Sequence, residues 1–96
     1  MAVLTFTKVG KRWESDTIQP AKGNIEVRVK FKNPGGGFVG VLRSADGVEF
    51  TPFESGTKGN LGEDTKLLIF NVSGIVKGGY LKIISTSEVE AGSWIE

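Results

Sequence analysis

The chain contains no cysteine and no histidine. Without cysteine, neither disulfides nor thiolate metal sites can support the fold. Without histidine, Ser–His and Cys–His nucleophile pairs and His-based metal centres are excluded outright. Charge of one sign is also lacking: 12 basic and 11 acidic residues leave a net charge of +1. That balance gives no broad pull on nucleic acid or an anionic membrane. No apolar run exceeds four residues, Leu67 to Phe70 being one of that length, far short of the roughly 20 that span a bilayer. The opening MAVLTFTKVGKRW lacks the basic-then-apolar plan of a signal peptide. The expectation is therefore synthesis in a cytoplasm, with no membrane partner and no cofactor.

What is abundant is glycine, 14 of 96 residues, roughly twice the average usage of about 7%. With only three prolines, this composition points to a turn-rich all-β chain. The length fits one domain, residues 1–96. A chain so short buries only about 60–65% of its unfolded surface. Stability must come from a tight apolar core or from association with copies of itself.

The stretch Gly37–Phe53 reads as two strands joined by the turn Ala45-Asp46-Gly47. Asp starts tight turns because its side chain bonds nearby backbone amides. Gly at the left-handed position closes a three-residue hairpin loop. Pro52 cannot donate a ladder hydrogen bond, so the second strand belongs at a sheet edge. Residues Asn24–Lys32 alternate Ile25, Val27, Val29 and Phe31 with Glu26, Arg28, Lys30 and Lys32, a strand with one wet face. Further strands are expected over Ala2–Val9, Arg12–Ile18, Thr65–Val72, Tyr80–Thr86 and Val89–Ile95. The run Leu67-Leu68-Ile69-Phe70 implies burial on both faces, in mid-sandwich or at a subunit interface. Glu54 to Asp64 reads as the longest loop, with no element in it. The sum is about eight short antiparallel strands in a jelly-roll-like β-sandwich.

No motif names a chemistry. Carboxylates pair as Glu14/Asp16, Glu63/Asp64 and Glu88/Glu90, and two on one strand face have the composition of a glycosidase pair. A solvated face is the plainer reading. Asp46, Glu54, Glu63 and Asp64 offer oxygen ligands, but their spacing matches no calcium loop such as the EF-hand, so no metal is expected. Arg28, Lys30 and Lys32 form a basic stripe that suits phosphate or an acidic neighbouring subunit, or simply a soluble face. Its strand places Phe31 on the opposite face, without the interleaved aromatics that single-stranded nucleic acid requires. Trp13, on an otherwise polar strand, is the aromatic best suited to stacking on a sugar ring. Arg43, Asp46 and Phe50 flank the turn and are the other ligand or partner candidates. Assembly-surface candidates are Arg28, Lys30, Lys32, Leu68 and Phe70.

The run Leu42-Arg43-Ser44-Ala45-Asp46-Gly47-Val48-Glu49-Phe50 resembles the strand–S-x-D-G–strand hairpin of discoidin-like jelly-roll sandwiches. Gly79-Tyr80-Leu81-Lys82-Ile83 is similar to the aromatic-led strand that follows in those modules. The opening Phe6…Trp13-Glu14-Ser15 looks like the small jelly-roll modules of tailed-phage virion proteins, head decoration proteins and fibre domains among them. The likeness covers about half the chain. It implies a non-enzymatic virion subunit, assembled in a host cytoplasm, a homo-oligomer that also meets other virion proteins. A small carbohydrate-binding module is the alternative it leaves open, with a glycan as partner. Chain length and the absence of cysteine set this sequence apart from the longer, often disulfide-bearing discoidin-like domains.

Overall fold

The computed structural model describes residues 2–33, 37–53, 58–61 and 65–96. Ten strands follow in order: β1 (Ala2–Leu4), β2 (Phe6–Val9), β3 (Arg12–Ser15), β4 (Asn24–Phe31), β5 (Gly37–Ser44), β6 (Thr51–Pro52), β7 (Lys58–Leu61), β8 (Leu67–Ser73), β9 (Tyr80–Ser85) and β10 (Val89–Ile95). No helix occurs among the described residues. One sheet runs β1-β10-β4-β8; the other runs β2-β3-β9-β5-β6, with β7 also paired to β5. Every pairing is antiparallel. The chain is an all-β sandwich of two such sheets.

Alternation explains the core. Ile25, Val27, Val29 and Phe31 of β4 are buried, while Arg28 and Lys30 between them are exposed. Phe70 and Val72 of β8 extend that inner face. Val39 and Val41 of β5, with Leu81 and Ile83 of β9, supply the facing layer. Each such side chain contributes about 1.5–3 kcal/mol by leaving water. Ile18 is buried too, and exchanges two 2.8 Å backbone hydrogen bonds with Leu81.

Several expectations are corrected. The first strand is two: the Thr5 N–H donates to Asp16 Oδ2 at 3.1 Å, and the Asp16 N–H to the Thr5 carbonyl at 3.0 Å. That clasp sits where the chain passes from one sheet to the other. The central hairpin is looser than three residues: β5 ends at Ser44, β6 starts only at Thr51, and Val48 is exposed. Gly47 does take the positive φ, +80°, and β6 with Pro52 does lie at a sheet edge. The stretch 54–64, expected to hold no element, carries β7 against β5. The run Leu67–Phe70 is not buried on both faces. β8 is an edge strand; Phe70 is 5% exposed, whereas Leu67 and Ile69 are 56% and 52% exposed.

Candidate functional site

Two features stand out: a cleft at one end of the sandwich, and the outer edge of β8.

The cleft has a volume of about 480 Å³, between the segment Arg43–Phe53 and the segment Gly74–Leu81. This size falls within the usual range for ligand pockets. Phe53 and Leu81 reach it from the core, Ile75 and Val76 from one loop, and Arg43, Glu49, Lys77 and Tyr80 bring polar groups. The guanidinium of Arg43 lies 5.1 Å from the Phe53 ring centre, a cation–π arrangement that fixes the side chain at the cleft wall. Gly47 sits against the Tyr80 ring, with room for a Cβ at ordinary contact distance, 3.5 Å.

The four ligand candidates do not converge. Only Arg43 lines the cleft. Asp46 is engaged by its own loop: Oδ1 accepts the Val48 and Glu49 N–H groups at 2.9 and 3.0 Å and the Ser44 hydroxyl at 2.8 Å. Those bonds, the Val48 amide first, hold its pKa down from 3.8 to about 2. Phe50 is half-buried beneath the Lys82 ammonium, 4.8 Å from its ring centre. Trp13 is half-buried on β3, paired with Lys8 and Ser85. It shares its strand face with the buried Ser15, hence the core side. Tyr80 and Lys77 are among the cleft residues that carry no site signal in the sequence, where they read as a strand start and part of the Lys77-Gly78-Gly79 turn.

Among the described residues, Glu14 and Asp16 are engaged separately. Glu14 meets Arg12 at 2.9 Å and Lys82 at 3.7 Å, while Asp16 serves the Thr5 amide. Glu54, Glu63 and Asp64 lie outside the described residues. Among those described, no group of three acidic side chains could hold a metal ion.

The basic stripe is neutralised within the chain. Arg28 meets Glu26 at 2.8 Å, Lys30 meets Glu90 at 3.5 Å and Lys32 meets Glu88 at 3.4 Å. Beside it, β8 puts Leu67 next to Lys30 and Ile69 next to Arg28. Of the apolar assembly candidates, Phe70 turns into the core and Leu68 is half-buried against it; Leu67 and Ile69 carry the exposed apolar surface.

The chain matches no protein-family model, no curated protein and no solved structure.

Proposed function

We propose that this chain is a non-enzymatic structural subunit of a tailed-phage virion, a capsid-decoration or fibre-associated protein that acts through protein–protein assembly. The observation that carries the reading is the first sheet's outer surface. A seven-residue uncharged edge strand bearing exposed Leu67 and Ile69 lies beside charges that already neutralise one another. Long uncharged apolar edges are what soluble monomers usually blunt, and an assembly subunit has a use for one. Among the described residues the carboxylates are spread over separate ion pairs and backbone contacts, which supports a role without catalysis.

The strand order supports a jelly roll as the finer description of the sandwich. Count β1 and β2 as one strand crossing between sheets, and β6 and β7 as one interrupted strand. The sheets then read 1-8-3-6 and 1-2-7-4-5, the crossing strand 1 flanking both. The partners 1·8, 2·7, 3·6 and 4·5 are those of one long hairpin rolled on itself, the eight-stranded plan of a jelly roll. The sequence resemblance to small virion jelly rolls points the same way.

The test is quantitative mass spectrometry of gradient-purified particles from cells that make the chain. Co-purification at a fixed copy number is expected; recovery only in the particle-free fraction contradicts the reading.

The cleft favours a second reading, a small carbohydrate-binding module with Arg43 and Tyr80 as contacts. A glycan array giving a signal that Tyr80→Ala abolishes would support it; a blank array, or a signal unchanged in that variant, would count against it.

A further inference from the structure

We propose that the outer edge of β8 pairs with the β8 edge of a second copy, antiparallel and centred on Phe70, so that two four-stranded sheets become one. The inference deepens the structural-subunit reading and rests on it for its biological setting.

The four sheet edges are unequal. β1 has three residues, β2 has four with Lys8 among them, and β6 has two, one of them Pro52. β7, beside β6, carries Lys58 in sequence. Short length, lysine and proline are the devices by which edges are made unfit to pair. β8 has none of them: LLIFNVS is seven residues long, with no charge, proline or glycine, and its register against β4 runs without a bulge from Lys30↔Leu67 to Asn24↔Ser73.

The backbone phase follows from one hydrogen bond. The Phe31 N–H donates to the Lys66 carbonyl at 2.8 Å. Hydrogen-bonded and non-hydrogen-bonded pairs alternate along an antiparallel ladder. Leu68, Phe70 and Val72 therefore direct their N–H and C=O groups at β4, and Leu67, Ile69, Asn71 and Ser73 direct theirs outward. Among the described residues nothing pairs with that edge.

A two-fold axis at Phe70 brings the outward groups into register. Leu67 then lies opposite Ser73 of the second copy, and Ile69 opposite Asn71, each bulky apolar side chain beside a short polar one. Half-buried Leu68 meets the other Val72, and the two Phe70 residues face each other beneath the joined sheets. Charge permits the approach. β8 has none, each Lys66 falls opposite Gly74 of the second copy, and Arg28 and Lys30 are held by Glu26 and Glu90. Main-chain bonds supply the attraction and alternate side chains the register, as in strand addition generally.

The absence of native cysteine makes the test clean. Ile69→Cys and Asn71→Cys are prepared separately, with folding checked by circular dichroism, then oxidised alone and mixed. The expected result is a covalent dimer in the mixture, several-fold more abundant than in either variant alone, because residues 69 and 71 are directly opposed across the pair. As a second measurement, Ile69→Lys is expected to sediment as a folded monomer at concentrations where the parent dimerises. No cross-link enrichment in the mixture, or parent and Ile69→Lys sedimenting alike, overturns the β8 pairing. Virion co-purification could still succeed in that event, so the two readings fail separately.

Discussion

The Ser44 hydroxyl stands 2.8 Å from Asp46 Oδ1, and together these side chains hold four backbone amides. Ser44 Oγ accepts the N–H groups of Asp46 and Gly47 at 3.3 and 2.9 Å; Asp46 accepts those of Val48 and Glu49. The loop is thus built on one hydroxyl and one carboxylate. The Asp46 pKa, held to about 2, lies below its ordinary value near 3.9. A depressed pKa stabilises the fold above the ordinary value, and that contribution is lost as pH falls through the folded one. Asp46→Asn is expected to melt below the parent at neutral pH, with the gap closing between about pH 4 and pH 2. Thermal melts across that range check it; a constant gap would contradict it.

Ser15 plays a comparable part inside the sandwich. Its hydroxyl accepts the Ile83 N–H at 2.9 Å and donates to the Asp16 carbonyl at 2.8 Å, beyond the point where the β3–β9 ladder stops at Glu14↔Ile84. Ser15→Ala leaves a buried amide without its partner and is expected to cost roughly 1–3 kcal/mol. Urea unfolding measures this directly.

The two faces of β8 predict opposite sensitivities. Phe70→Ala empties a core position and is expected to cost about 3–5 kcal/mol. Ile69→Ala, on the outer face, should change monomer stability by no more than about 0.5 kcal/mol. Equal losses measured by denaturant titration at low protein concentration would show the strand facing both ways into apolar surroundings.

The neutralised stripe predicts a gain of binding. Glu88→Gln with Glu90→Gln releases Lys32 and Lys30 from their carboxylates. The double variant is expected to be retained on a heparin column under conditions where the parent flows through, and to elute with modest salt, since exposed charges are readily screened. Equal elution of the two proteins would mean that the glutamates do not mask the stripe.

The strand β4 was legible because four buried apolar residues alternate with charges and a polar residue along its length. The last strand, Val89–Ile95, was legible from its bounding turns. The edge position of β8 was not, because a continuous apolar run reads the same whether its second face is covered by the chain or left outward. β7 was hidden since Lys58-Gly59-Asn60-Leu61 has no alternation of its own and forms through pairing with β5. The S-x-D-G signal identified the turn but not its span. Asp46 spends its carboxylate on the amides of Val48 and Glu49, which widens the loop toward Phe50. The cleft was beyond sequence reading, because Arg43 and Tyr80 come together only through the β5–β9 register.

Amide hydrogen exchange at Ile69 and Asn71 tests the central claim most directly, since their N–H groups point to the outer edge of β8. Exchange should be fast in dilute solution and slow markedly as concentration rises, while the Leu68 and Phe70 amides, bonded to β4, stay protected throughout. Fast exchange at Ile69 and Asn71 at every concentration would contradict assembly through this edge.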